Sequence, residues 1–496
     1  IVYIMTDDHA YQTVGAYGHP ISRLAPTPNI DRLAREGMLF REAFVENSIS
    51  APSRATLLTG VYSHRHGQTT LSYGIMDTTL VHFPELLRAE GYRTAIFGKW
   101  HLSIEPKGFD HYDLLWDQGE YYNPVMRTPE TGGRYVRQEG YATDIITDHA
   151  LAWLDARRDD DAPFCLMIHH KAPHRNWMAD LKYLDLYEDV EFPEPETLFD
   201  DYATRGDQMR QQQLTIDRHM GYAFDFKVEE LKDEPTLQYI HDSWDIAMST
   251  LTPEQRRVWD DSYGRKNRDF LADRPEGKEL LRWKYQRYIH DYCRTIRSVD
   301  DQIGRVLDYL EENGLMDNTL IVYTSDQGFL LGEHGFYDKR FMYEESFRTP
   351  LIMAWRGHIR PGTVCRELVQ NIDYAPTLLD AAGVAVPDGM DGVSLQPLFR
   401  SGKARGWRTS LYYQYYDYPA VGSVRAHYGI RTDRYKLIHW FGPGADGDPD
   451  IDFWELYDLK RDPCEVHNVY EVRGYLPVRR ELTQLLAEKR GELGIR

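Results

Sequence analysis

Ile1-Val2-Tyr3-Ile4-Met5-Thr6-Asp7-Asp8-His9 is an unbroken apolar run that ends abruptly in two acids and a histidine. A short run without polar alternation reads as a strand covered on both faces, the habit of parallel sheets. The same texture recurs at 94–97, 164–168, 320–323 and 351–354, with helical patterns between. One helix is punctuated by Thr27 as cap, Pro28 at its first position and Gly37 beyond its end; a longer one runs from about 284 to 313 and stops at Gly314. Alternating strands and helices predict an α/β fold, a large, mostly parallel sheet flanked by helices. A strand beginning at residue 1 implies chain upstream, and a cleaved secretory signal is expected there, which would make the protein periplasmic or secreted.

The 496 residues hold 42% apolar and 13% aromatic side chains, enough for a large core. With 58 basic against 78 acidic residues the net charge is -20, which argues against nucleic acid as a partner. An anionic substrate would need a few local cations working against the global field. The four cysteines lack CxxC spacing, so neither a disulfide framework nor a thiolate zinc site is expected. No apolar run is long enough for a transmembrane segment.

Residues 176–275 are polar and acidic without a strand pattern and read as an insertion covering one rim of the sheet. The expected catalytic unit, insertion included, spans 1–405. From 406 to 496 the texture changes to short strands at 410–416, 427–431, 435–440 and 454–459, then an amphipathic helix at 478–492. This predicts a smaller C-terminal antiparallel α+β domain.

Sites in open parallel sheets form beyond the C-terminal strand ends, where this sequence places its polar clusters. These are Asp7-Asp8-His9, Gly98-Lys99-Trp100-His101, His169-His170-Lys171-Ala172-Pro173-His174 and Asp326-Gln327-Gly328. Asp7, Asp8, Asp326 and Gln327 make a hard-oxygen set suited to Ca²⁺ or Mg²⁺. An isolated Asp-Asp pair is an ordinary turn or helix cap; two acidic strand ends together would repel without a cation. In Ser50-Ala51-Pro52-Ser53-Arg54-Ala55-Thr56-Leu57-Leu58-Thr59-Gly60, Pro52 can open a helix and Gly60 close it. Ser50 would then sit at the positive helix end with Arg54 one turn on, although a capping serine beside a surface arginine gives the same pattern.

Ser50-x-Pro52-Ser53-Arg54 with Thr59-Gly60, and Gly91-Tyr92-Arg93-Thr94 with Gly98-Lys99-Trp100-His101-Leu102, resemble the two signatures of the type I sulfatase family of the alkaline phosphatase superfamily. Asp326-Gln327-Gly328 and Trp454-Glu455-Leu456-Tyr457-Asp458-Leu459 extend the resemblance over nearly the whole chain. It implies that a maturation enzyme oxidises Ser50 to formylglycine, whose hydrate is the nucleophile. Asp7, Asp8, Asp326 and Gln327 match the Ca²⁺ ligands, the last more often Asn or His in relatives. Arg54, Lys99 and His101 match the residues around the hydrate, and His174 and Lys339 those that grip the sulfate and serve the leaving oxygen.

Lys171–Trp177 and the Gly328–Gly335 run look similar to bacterial N-acetylglucosamine-6-O-sulfatases, implying sulfated glycosaminoglycan fragments of heparan or keratan type as substrates. Trp177, His334, Tyr415 and His427 are the expected sugar contacts, with ordinary packing as the alternative for each. A phosphate or phosphonate ester hydrolase, or a silent glycan-binding homologue, would share much of this pattern.

Overall fold

The computed structural model describes residues 1–444 and 447–495. Its centre is a ten-stranded sheet in the order Thr363–Cys365, Met38–Phe40, Leu351–Ala354, Ile321–Ser325, Val2–Thr6, Phe164–His169, Arg93–Gly98, His111–Leu115, Val125–Arg127, Val136–Arg137. The strands from Ile321–Ser325 through His111–Leu115 run parallel, and antiparallel pairs join the outer strands to them. Strand alternation supplies two cores. Val2 and Ile4 face Ile30, Ile146 and Ile303 of the helices Pro28–Glu36, Ala142–Asp155 and Gly277–Glu312. Tyr3 and Met5 face the opposite layer, with Ala55 and Leu58 of the helix Ser50–Thr59 and Leu378 of Tyr374–Ala381.

The C-terminal sheet is a four-stranded antiparallel meander, Ser410–Tyr415, His427–Thr432, Tyr435–Gly442 and Ile451–Asp458. The helix Leu476–Glu492 covers one face through Leu482 and Leu486. Its other face enters the large core: Tyr413, Tyr415 and Trp440 cluster with Phe341, Phe347 and Leu330. The described part of residues 176–275 contains no strand, and its longest helices are Gln238–Ser249 and Pro253–Ala272.

Register decides which loops meet. Thr6 pairs with Ser325, so Asp7 and Asp326 leave the sheet side by side. Gly98 pairs with His169, which brings Lys99 to the same edge as the His170–His174 loop. Gly98 has φ +98, and a Cβ there would meet the His169 carbonyl oxygen at 2.0 Å, so no side chain fits at this crossing.

Candidate active site

The helix Ser50–Thr59 is wholly buried and ends at Gly60, whose φ of 67 is the left-handed cap geometry. Its first turn points at the carboxylates of the sheet edge. Ser50 Oγ donates to Asp7 Oδ1 at 3.1 Å. Arg54 Nη2 lies 3.1 Å from Asp326 Oδ2 and 3.7 Å from Asp7 Oδ1, while its Nη1 donates to the Lys99 carbonyl at 2.9 Å. The Lys99 ammonium bonds the other Asp7 oxygen, and that of Lys339 bonds Asp8 Oδ1. Ser53 Oγ donates to the Asp326 carbonyl and accepts from Asn371 Nδ2, fixing this turn against the helix. Tyr292, on the long helix Gly277–Glu312, donates to the Asp8 carbonyl and accepts from Ala10 N, bracing an Asp8 backbone at φ 70.

His174 Nδ1 lies 2.6 Å from the Arg175 carbonyl and donates to it, which leaves Nε2 toward Asp8 Oδ2 at 3.8 Å. Gln118 joins two other candidates: its Oε1 accepts from Lys99 and its Nε2 donates to His101 Nε2 at 2.8 Å. His101 Nδ1 has no hydrogen-bond partner among the described residues. Gln118 carries no motif and was not anticipated; the available signal was that it follows a further strand end, His111–Leu115.

Burial dominates the electrostatics of this centre. Burial pushes Asp8 up to about 8 against the pull of Lys339, and burial with Asp7 raises Asp326. Burial acts the same way on Asp7, but Lys99, His174, Arg54 and Lys339 outweigh it and hold Asp7 well below the carboxylate range. Asp8 Oδ2 and Gln327 Oε1 are buried with no hydrogen-bond partner among the described residues. Candidate ligand atoms of Asp7, Asp8 and His174 lie within 4.8 Å of one another. Two orphaned oxygens beside crowded carboxylates fit a hard divalent cation, and the donor set is oxygen-rich as calcium or magnesium prefers. The nearby imidazole alone would not make a zinc site.

A cleft of about 460 Å³ opens over this centre, lined by Asp8, Ser50, His101, His174 and Lys339, with Gln118, Lys171 and Arg175 among the further residues. Burial and Lys99 lower the Lys171 ammonium to about 8, and its side chain lies over the Tyr121 ring at 4.8 Å. Arg175 forms two 2.6 Å bonds to Asp225, tying the loop after His174 to the segment 176–275. That segment also contributes Phe224, Ile246, Ala247 and Thr250 to the cleft wall.

The four expected sugar contacts require correction, because none of them lines this cleft. Trp177 has no exposed surface and packs on Tyr288 at 4.6 Å. His334 is buried with Nδ1 2.7 Å from Asp200 Oδ2. His427 stacks against Trp440 at 4.0 Å, and its Nε2 accepts from Met342 N. Tyr415 is buried and donates to the Asp417 carbonyl. Their neighbours belong to the motifs, but these side chains point into the core.

The chain is similar to known proteins over nearly its whole length. A family model described as sulfatase matches residues 1–384, and one described as N-sulphoglucosamine sulphohydrolase, C-terminal, matches 332–492. The chain is 44% identical to an N-acetylglucosamine-6-O-sulfatase of Bacteroides thetaiotaomicron, covering 98% of this chain and 85% of that protein. It is 28% identical to a multifunctional alkaline phosphatase superfamily protein of Trinickia caryophylli over 92% of this chain and 88% of the relative. A solved structure of a protein in complex with D-glucosamine-2-N,6-O-disulfate, described as its substrate, superposes with a TM-score of 0.92 at 43% identity, covering 100% of this chain and 98% of the other.

Proposed function

The chain belongs to the sulfatase family and is a sulfuric ester hydrolase of the alkaline phosphatase superfamily, and we propose that it removes the 6-O-sulfate of N-acetylglucosamine in glycosaminoglycan fragments. The observation that carries this reading is the 44% identity, over 98% of the chain, to an enzyme named for that activity.

Asp7, Asp8, Asp326 and Gln327 are the proposed calcium ligands. Their three carboxylates lie among three cations, Arg54, Lys99 and Lys339. Calcium, when bound, supplies the positive charge that attracts a sulfate ester and offsets charge on the sulfuryl oxygens. Formylglycine, formed from Ser50 by a maturation enzyme, supplies through its hydrate a nucleophilic oxygen and a second hydroxyl that allows sulfate to leave.

The remaining work falls to side chains of this chain. Arg54 and Lys99 fix Asp7 and Asp326 and place positive charge beside residue 50. Lys339 carries a third positive charge into the cleft floor. His174 is assigned to protonate the departing sugar oxygen through Nε2, the ring atom its bond to the Arg175 carbonyl leaves available. His101 is assigned to hold the group at residue 50 by donating from Nδ1, the atom that carries the ring proton while Nε2 accepts from Gln118. Among the described residues no helix is long and apolar enough to cross a membrane. We place the enzyme in the periplasm or outside the cell, because its proposed substrates are extracellular polymers.

The test is product analysis with matured protein on defined saccharides sulfated at the 2-O, 3-O, 4-O or 6-O position. Selective release from 6-O-sulfated N-acetylglucosamine is expected. Faster release from another position refutes the linkage, and binding without release from any of them favours a silent glycan-binding homologue.

A further inference from the structure

The mouth of the cleft differs in chemistry from its floor. Ser50, Asp8, His174 and Lys339 at the floor are polar and buried or nearly so. Trp116, Ile246 and Val421 line the same cleft yet are 56%, 62% and 42% exposed. They come from three separate parts of the chain: the loop after the strand His111–Leu115, the helix Gln238–Ser249, and the loop before the strand His427–Thr432. Single exposed apolar residues need no explanation, but three around one catalytic cleft form an apolar collar. A tryptophan face with aliphatic neighbours suits the C–H face of a pyranose ring.

The charges beside the collar narrow its occupant. The deep cations are engaged: Lys339 with Asp8, Arg175 with Asp225, Arg340 with Asp338 at 2.8 Å, and Lys171 with the Gln118 carbonyl at 3.3 Å and the Tyr121 ring. Directly after Trp116, Asp117 accepts from the Tyr73 hydroxyl at 2.8 Å, and no cation pairs with it among the described residues. Glu120 also lines the cleft, with the Arg137 guanidinium 3.9 Å away. A second sugar carrying a carboxylate would approach these two acids in a protein of net charge -20.

We propose that Trp116, Ile246 and Val421 form a second subsite, which binds the neutral sugar joined to the anomeric carbon of the sulfated residue and disfavours a uronate there. This rests on the 6-O-sulfated N-acetylglucosamine reading and extends it to a disaccharide. Trp116 lines the same cleft as Gln118, which contacts Lys99 and His101, so the indole belongs to the cavity that opens over the catalytic floor.

The experiment measures kcat/KM of matured enzyme on three substrates: 6-O-sulfated N-acetylglucosamine alone, the same unit linked to galactose, and the same unit linked to glucuronate. The galactose-linked form should be favoured over the monosaccharide by about three- to tenfold, the range expected of one aromatic contact, and the glucuronate-linked form should not. Trp116→Ala should erase most of that preference while changing the monosaccharide value less than about twofold, and Trp116→Tyr should restore part of it. A preference for the glucuronate-linked form, or equal losses on monosaccharide and disaccharide in Trp116→Ala, overturns the subsite. Hydrolysis of an aryl sulfate with no release from any of the three saccharides removes the functional reading, and the subsite with it.

Discussion

Arg54 Nη2 approaches Asp326 Oδ2 to 3.1 Å with side-chain exposures of only 2% and 0%, so a helix residue and a strand-end residue form one dehydrated ion pair. Truncating one partner of such a pair leaves the other charge buried alone, at a cost of about 3–5 kcal/mol. Arg54→Ala should therefore lower thermal stability sharply in calcium-free buffer. Calcium should restore part of the loss, because it would neutralise the stranded Asp326. Thermal unfolding of both proteins with and without calcium checks this, together with metal analysis. A loss in the variant indifferent to calcium, or stoichiometric zinc in the wild type, would remove Asp326 from the ligand set.

The contrast between legible and illegible residues has a physical basis. Asp7, Lys99, His174 and Asp326 could be placed from sequence because each follows a strand core, and parallel register delivers strand ends to one edge. The helix Ser50–Thr59 was readable from Pro52 and Gly60, whose backbone preferences are local. Trp177, His334, Tyr415 and His427 were misread because neighbourhood in sequence carries no information about which way a side chain turns. Trp177 follows His174 by three residues, yet it packs under the loop on Tyr288 while His174 faces the cleft. Gln118, Trp116 and Ile246 escaped notice for the reverse reason. Their places at the cleft come from distant parts of the chain, and the strand His111–Leu115 begins with His111-Tyr112-Asp113, a polar start that hid it.

Glu46 gives the fold a pH dependence independent of catalysis. Its carboxylate is buried among the hydroxyls of Ser63 and Thr56, and burial pushes it up to about 7 despite those hydrogen bonds. The folded chain thus keeps a proton to about pH 7 that the unfolded chain releases near the ordinary glutamate value of 4.5. Because the native state binds the extra proton in that window, this contribution is fully present below pH 4.5 and is lost as pH rises through 7. The loss is on the order of 3 kcal/mol. Glu46→Gln, a mimic of the neutral form, should flatten this part of the stability profile. Urea unfolding between pH 4 and 8 measures it, and an unchanged slope in the variant would show that Glu46 is ionised throughout.

His174 and Lys339 should reveal their role through the leaving group. A sugar alkoxide leaves poorly without a proton or nearby positive charge, whereas a nitrophenolate needs little help. Changing either residue to Ala should therefore depress kcat/KM on a sugar sulfate by about 10²- to 10⁴-fold, the usual worth of general acid catalysis, and on an aryl sulfate far less. Kinetics on the two substrates provide the comparison. Equal losses on both would assign these residues to binding the sulfate group alone.

Ser50 is the position on which turnover depends. Its Oγ already touches Asp7 at 3.1 Å and lines the cleft floor, so an unmodified hydroxyl is correctly located to meet a sulfate ester. Location alone does not complete a cycle. A serine that attacked sulfur would become a stable sulfate ester, since it has no second oxygen to expel the group. Protein made without a compatible maturation enzyme should accordingly bind 6-O-sulfated N-acetylglucosamine through Arg54, Lys99, Lys339 and the metal, and release at most one desulfated sugar per chain and no free sulfate, the sulfuryl group remaining on Ser50. Material produced with the maturation enzyme should turn over repeatedly, in proportion to the oxidised fraction at residue 50. Mass spectrometry of the peptide containing Ser50, paired with calorimetric binding and sulfate release on the same preparations, measures all three quantities. Multiple turnovers from wholly unoxidised Ser50 would rule out the aldehyde and require a hydrolytic route in which water attacks sulfur directly.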